Sequence, residues 1–62
     1  MRLKELREEN NLTQTQVAEL LNVKQNTYSQ YETEKRQLST EILIKLARLY
    51  KVSTDYILEL ED

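Results

Sequence analysis

Four short segments of the chain repeat one local pattern that favours the start of an α-helix. In each segment an apolar residue precedes a cap position, and a second apolar residue follows the cap by four, which is the spacing of a hydrophobic staple. The four cap positions are Thr13, Lys24, Ser39 and Ser53. Ser and Thr are favourable caps, whereas Lys is a poor one. The pattern therefore predicts four helices that begin near these positions.

A further helix precedes these four. Residues 2–9 place Leu3 and Leu6 one helical turn apart among charged residues, which is the pattern of an amphipathic helix. We expect it to end near Asn10 and Asn11, and the second helix to end at Asn22, because asparagine tolerates positive φ. The predicted helices cover about residues 2–9, 13–21, 24–32 and 40–50, with a short fifth helix after Ser53.

The fourth segment is apolar over more than one helical face, so we predict that it forms the central core helix. Its apolar residues are Ile42, Leu43, Ile44, Leu46, Ala47, Leu49 and Tyr50. On the third helix Tyr28 and Tyr31 form the inward stripe. Residues 61–62 are expected to fray.

The residue types that the chain lacks exclude several classes of function. There is no glycine, proline, cysteine or histidine among the 62 residues. Their absence argues against phosphate-binding glycine loops, disulfide frameworks, the common zinc sites and a Ser-His-Asp arrangement. We therefore predict one all-α domain over residues 1–62, a compact five-helix bundle that is not an enzyme and has no metal and no cofactor.

Hydropathy and charge add little about partners. No apolar run approaches the roughly 20 residues of a membrane span, and the N-terminus does not resemble a signal peptide, so we expect a cytoplasmic protein with no membrane partner. The net charge is −2. The last 11 residues carry four acidic and no basic side chains, whereas the first 51 carry nine basic and seven acidic ones. This balance is a weak signal for or against a nucleic-acid partner.

The stretch from Thr13 to Glu32 suggests a helix-turn-helix. Its second helix would turn one uncharged face outward, opposite the two tyrosines. That face consists of Gln25, Asn26, Ser29, Gln30 and Thr33. A single helix fits the major groove of DNA, and Gln and Asn side chains can contact adenine through two hydrogen bonds. From the pattern alone, a neutral helix surface explains this face equally well.

Several short motifs together resemble the phage repressor/Cro-type helix-turn-helix family, also called the xenobiotic-response-element (XRE) family. The motifs that carry the resemblance are Leu12-Thr13-Gln14, Val17-Ala18, Leu21, Val23, Tyr28, Tyr31-Glu32 and the segment 52–58. The resemblance spans essentially the whole chain and implies a lambda repressor-like DNA-binding domain. Three positions depart from the family, which usually has glycine where this chain has Asn22 and Glu34, and proline near Leu38.

The resemblance implies a sequence-specific binder of double-stranded DNA, encoded by a bacterium or a phage. It would act as a transcriptional repressor and bind a near-palindromic operator as a homodimer. The implied base-reading residues are Gln25, Asn26, Ser29 and Gln30. The implied phosphate-contacting residues are Thr13, Gln14, Lys24, Thr33, Lys35 and Arg36. In the family, a glutamine at the position of Gln14 also helps to orient the first side chain of the recognition helix.

The resemblance also implies two structural features. Arg7 and Glu32 match a pair that joins the first helix to the end of the third by a partly buried salt bridge. The last helix often forms the dimer contact in the family, so Tyr56 and Leu60 are either core residues or dimer contacts.

Other interpretations of the same residues remain open. Lys35 and Arg36 could belong to a solvated loop. The whole domain could be an antitoxin-type or regulatory module that binds a protein partner with the same fold. A small hydrolase or metal enzyme has almost no support from the sequence.

Overall fold

The computed structural model of the chain describes residues 1–60, and within them it contains five α-helices and no strand. The helices are α1 (Leu3–Glu9), α2 (Gln14–Leu21), α3 (Gln25–Glu32), α4 (Thr40–Tyr50) and α5 (Thr54–Leu58). The predicted all-α class and helix order are confirmed, with boundaries within about two residues. The prediction that residues 61–62 fray lies outside the described residues. No helix in the described part is long and apolar enough to cross a membrane.

Side-chain caps start three of the helices. The Thr13 hydroxyl accepts a hydrogen bond from the Gln16 amide at 3.1 Å, and the Gln16 side chain accepts one from the Thr13 amide at 2.8 Å, which completes the predicted capping box. Ser39 and Ser53 cap α4 and α5 by accepting the Ile42 and Tyr56 amides at 3.1 and 3.0 Å. Lys24 makes no side-chain cap. The start of α3 therefore depends on packing rather than on a cap.

The helices end without glycine because other residues adopt the left-handed conformation. Asn11 and Asn22 have φ values of 56° and 59°, as their sequence positions predict. Glu34, Lys51 and Glu59 do the same with φ values of 60°, 57° and 62°. Non-glycine residues adopt this conformation at a cost of about 1–2 kcal/mol each. The backbone at Asn22 and Glu34 thus takes the conformation that a glycine would take, although the side chains differ.

One contiguous core joins all five helices. It consists of Leu3, Leu6, Val17, Ala18, Leu21, Tyr28, Tyr31, Ile42, Leu46, Tyr50 and Ile57. Tyr28 and Tyr31 pack edge to face with ring centroids 6.5 Å apart. The small side chain of Ala18 on α2 has 2% of its surface exposed. The predicted inward faces of α1, α2 and α3 are therefore confirmed.

The prediction for α4 needs a correction. Only Ile42, Leu46 and Tyr50 are fully buried, and Ile44 is 40% exposed. The helix is therefore amphipathic rather than a core helix surrounded on several sides. A domain of this length has too few residues to cover a central helix on every face.

The ends of the described chain pack together on the side of α5. The Arg2 amide donates to the Ile57 carbonyl at 3.1 Å, and the Arg2 guanidinium lies 4.8 Å from the centre of the Tyr56 ring. Tyr56 is half-buried, whereas Leu60 is 71% exposed. These contacts hold α5 against α1 and leave α2 and α3 to form a separate surface.

Candidate nucleic-acid interface

The outer face of α3 carries the polar row that the sequence predicts. Gln25, Asn26 and Thr33 are exposed, and Ser29 and Gln30 are half-buried. Behind this row, Tyr28 is fully buried and Tyr31 is 7% exposed. The core therefore fixes the angle at which α3 presents its polar side chains.

The turn between α2 and α3 is short and closed by the backbone. Asn22 has the left-handed conformation, and the Val23 amide donates to the Ala18 carbonyl at 2.9 Å. The Asn22 amide also donates to the Ala18 carbonyl, so two amides of the turn satisfy the carbonyls at the end of α2. The geometry fixes the direction in which α3 leaves the turn.

The first residues of α2 and α3 contact each other directly. The Gln25 Nε2 donates to the Gln14 Oε1 at 2.6 Å. The Gln14 Nε2 in turn donates to the Glu32 Oε1 at 3.1 Å. The two helix starts and the end of α3 are thus linked through the side chains of Gln14, Gln25 and Glu32.

Glu32 also accepts hydrogen bonds from Arg7. The Arg7 Nε lies 2.6 Å from the Glu32 Oε2, and the Arg7 Nη2 lies 3.3 Å from the Oε1. A third bond joins the Arg7 Nη1 to the Leu12 carbonyl at 3.0 Å. The side chains of Arg7 and Glu32 are only 13% and 4% exposed. The structure therefore joins α1, the α1–α2 loop and α3 through one ion pair.

The surroundings of Glu32 favour its ionised form. Burial by itself raises the pKa of the Glu32 carboxyl, but Arg7, then Tyr28 and Gln14, together lower that pKa below its ordinary value. Glu32 in turn stabilises the charged Arg7, whose pKa is raised. The pKa of Tyr28 is raised well above its ordinary value by burial first and by Glu32 second. Within residues 1–60 the Tyr28 hydroxyl lies near this carboxylate without a hydrogen bond of standard geometry.

A second side-chain contact lies near the other end of the polar row. The Arg36 Nε donates to the Gln30 Oε1 at 2.9 Å. The Thr33 hydroxyl donates back to the Ser29 carbonyl at 3.2 Å, so its hydrogen points into the helix. Lys24 and Lys35 are exposed and make no salt bridge among the described residues. Basic groups therefore flank both ends of α3.

The start of α2 has a free donor beside the polar row. The Thr13 oxygen accepts the Gln16 amide, which leaves the Thr13 hydroxyl hydrogen available to an outside acceptor. Together with the first-turn amides, it can contribute to binding an anion at the helix N-terminus. Glu34, in the loop after α3, lies with its Oε1 3.3 Å from the N-terminal ammonium of Met1.

The structure brings some predicted site residues together and separates others. Arg7, Gln14, Gln25 and Glu32 form one connected group. Tyr56 and Leu60 lie on the α5 side and take no part in it. Sequence reasoning missed the bond from Gln14 to Glu32 and the bond from Arg36 to Gln30. Local spacing carries no signal for the first, since 18 positions separate the two residues.

Comparisons with known proteins agree with this architecture. A family model described as "Helix-turn-helix" matches residues 3–57. The HTH-type transcriptional regulator ImmR of Bacillus subtilis (strain 168) is 49% identical over 57 residues, which are 92% of this chain and 45% of that protein. The uncharacterized HTH-type transcriptional regulator YobD of the same strain is 44% identical over 61 residues, or 98% of this chain and 54% of that protein. The chain thus spans about half the length of these two relatives, and no solved structure matches it significantly.

Proposed function

Because this chain belongs to the helix-turn-helix family, we propose that it binds double-stranded DNA sequence-specifically as a domain of a transcriptional regulator. The observation that carries the proposal is the outer face of α3. That face displays five uncharged hydrogen-bonding side chains and is held from behind by buried tyrosines. The names of the two similar regulators support the same conclusion.

The chemistry of the polar row suits the edges of base pairs. The major groove is about 12 Å wide and admits one α-helix. Amide side chains carry a donor and an acceptor together, so they can match adenine through its N6 and N7 atoms. We assign base reading to Gln25, Asn26, Ser29 and Gln30. A Glu- and Lys-rich face, such as α1 carries, would lack this combination.

Phosphate contacts would hold the domain in register. We assign phosphate contacts to residues in or beside the polar row, namely Thr13, Gln14, Lys24, Thr33, Lys35 and Arg36. Thr33 would exchange its hydroxyl bond to the Ser29 carbonyl for a phosphate oxygen. Contacts of this kind set affinity and salt dependence but carry no direct sequence information. Arg36 would exchange its bond to Gln30 for a phosphate oxygen, which would free the Gln30 carbonyl for a base.

The regulatory mechanism that we propose is steric repression. A homodimer would occupy a near-palindromic operator in the cytoplasm, with one α3 in each of two successive major grooves. The exposed Leu60, which lies just beyond the end of α5, would contribute an apolar contact to this dimer. Tyr56 is half-buried beneath Arg2, so it would contribute only its outer edge.

Selection of bound sequences from random duplex DNA tests this proposal. We expect enrichment of a palindromic consensus with half-sites about one helical turn apart. No enrichment over random DNA would refute sequence-specific binding. A consensus without two-fold symmetry would refute only the dimer. Co-purification of a second protein in place of DNA enrichment would favour the protein-interaction alternative.

Single substitutions then test the base-reading assignment. Gln25→Ala and Gln30→Ala should each lose about 1–3 kcal/mol of preference for the selected base and keep the fold. Gln37→Ala is the matched control, since Gln37 is an exposed glutamine in the α3–α4 loop. If the two variants discriminate between operator and random DNA as well as the control does, the assignment is wrong.

A further inference from the structure

The group formed by Arg7, Glu32, Gln14 and Gln25 leads from the core to the polar row, and the following inference rests on the proposed DNA-binding function. Two successive hydrogen bonds connect the buried Arg7–Glu32 ion pair to Gln25, the first side chain of α3. The bond to Glu32 limits how the Gln14 amide can turn, and the Gln14 amide in turn limits how the Gln25 amide can turn. We call these four residues the amide relay.

The direction of the relay follows from the chemistry of a carboxylate. An ionised carboxylate can only accept hydrogen bonds, so the Gln14 amide must turn its NH2 group towards Glu32. Its carbonyl then faces Gln25, and the Gln25 amide must turn its own NH2 group towards Gln14. This order is required by the hydrogen-bond chemistry and does not depend on how the amide atoms are assigned in coordinates.

The fixed direction decides what Gln25 presents to a base. One N–H of Gln25 is used by Gln14, which leaves the Oε1 acceptor and one N–H donor in a fixed order. Adenine offers an N6 donor and an N7 acceptor that can match this pair. A reversed Gln25 amide would present donor and acceptor in the opposite order and would place its NH2 group against the N6 amino group.

We propose that Glu32 is a positioning residue for base recognition, which through Gln14 fixes the amide direction of Gln25 and so selects adenine at the contacted position. Glu32 can fix this direction because both of its carboxylate oxygens accept hydrogen bonds, so it offers Gln14 an acceptor however it is turned. Its side chain is 4% exposed and is held by two hydrogen bonds from Arg7. A glutamine at position 32 could face Gln14 with either its oxygen or its nitrogen, and the constraint would be lost.

The test uses the operator that the wild-type chain selects. The position read by Gln25 is the one at which Gln25→Ala loses its preference. At that position, adenine is compared with purine, the analogue that lacks only the 6-amino group. We expect the wild type to bind the purine operator about tenfold or more weakly. We call the affinity for the adenine operator divided by the affinity for the purine operator the adenine-to-purine ratio. In Gln14→Met and Glu32→Gln this ratio should fall to about threefold or less.

The variants separate positioning from stability. Gln14→Met removes the middle of the relay and keeps the ion pair, whereas Gln37→Met is the control outside the relay. The double variant Arg7→Met/Glu32→Gln is measured as well, since it leaves no unpaired charge if Glu32→Gln alone unfolds. Lost phosphate contacts or partial unfolding weaken binding to both operators and leave the adenine-to-purine ratio unchanged.

Each outcome distinguishes the inference from the proposed function. If Glu32→Gln and the double variant keep the adenine-to-purine ratio of the wild type, the carboxylate has no such role. If Gln14→Met keeps that ratio, the amide relay is wrong. A selected guanine or thymine at the position read by Gln25 would also overturn it, while DNA binding stands. If the wild type selects no sequence, the proposed function fails first and the inference fails with it.

Discussion

The ion pair between Arg7 and Glu32 provides a stability prediction that can be worked out from the structure. Arg7→Met removes the charge but keeps most of the side-chain length, and leaves a Glu32 carboxylate that is 4% exposed. Removing one partner of a buried pair costs about 3–5 kcal/mol because the remaining charge is uncompensated. The bond from Gln14 to Glu32 remains and keeps the expected loss near 3 kcal/mol.

This loss is large for so small a domain. At about 0.05–0.15 kcal/mol per residue, the whole chain is stable by roughly 3–9 kcal/mol. Urea unfolding followed by far-ultraviolet circular dichroism at pH 7 measures the difference. With a slope of about 1 kcal/mol/M, the midpoint should move down by about 3 M. A loss below about 1 kcal/mol would refute the reasoning, since the pair would then behave as an exposed one.

The double variant Arg7→Met/Glu32→Gln measures whether the two side chains stabilise the fold through each other. Glu32→Gln should cost less than Arg7→Met, because the longer, 13% exposed Arg7 can reach water. Arg7→Met/Glu32→Gln buries no net charge, so it should be more stable than the sum of the single losses predicts, by about 1–3 kcal/mol. Additive losses would show that the two side chains do not interact across this contact.

The same pair predicts a dependence on pH with a defined sign. The folded-state pKa of Glu32 lies below its ordinary value of 4.5, so the unfolded chain binds a proton in a range where the folded chain does not. The contribution of Glu32 to stability is therefore complete above about pH 4.5 and is lost as the pH falls through the folded-state pKa. Glu32→Gln should remove this part of the pH dependence. An unchanged acid profile would contradict the pKa direction.

Three further predictions concern other parts of the chain. Glu34→Gly should be about 1 kcal/mol more stable than Glu34→Ala in urea unfolding, because both lose the contact with Met1 but only glycine relieves the left-handed backbone; equal stabilities would contradict this. Thr13→Ala should cost about 1 kcal/mol through loss of the capping box, whereas Thr15→Ala in the same turn should cost less. Arg36→Ala should lower the slope of log affinity against log salt by about one unit, whereas Lys45→Ala on α4 should leave it unchanged.

The sequence predicts the helices largely because three of their starts are encoded locally. The caps and staples at Thr13, Ser39 and Ser53 act within five residues, so their effect can be read from a short window. The positive φ of Glu34 has no such local signal, since a charged side chain does not indicate a left-handed residue. The structure shows that the loop keeps a left-handed residue there. The apolar pattern of α4 overstates its burial, because burial depends on how many neighbours the whole chain can supply.

The polar contacts of the interface could be predicted only in part. Resemblance indicates the Arg7–Glu32 pair and the role of Gln14 beside the recognition helix. The bond from Gln14 to Glu32 depends on how α2 packs against α3 after the left-handed turn at Asn22. No local pattern records a contact that arises from packing of this kind. The bond from Arg36 to Gln30 likewise depends on the path of the loop after α3.

The position of Glu32 connects the stability of the fold to its proposed recognition surface. Its Oε1 accepts from both Arg7 and Gln14, so one buried oxygen takes part in holding α1 to α3 and in orienting the amides. A substitution that only destabilised the fold would lower the fraction of folded chain and would leave base preference in the folded fraction intact. A substitution at Glu32 should change both quantities, whereas one at Leu46 in the core should change stability alone. Measuring the adenine-to-purine ratio and the free energy of unfolding on the same variants therefore separates the two roles of this carboxylate.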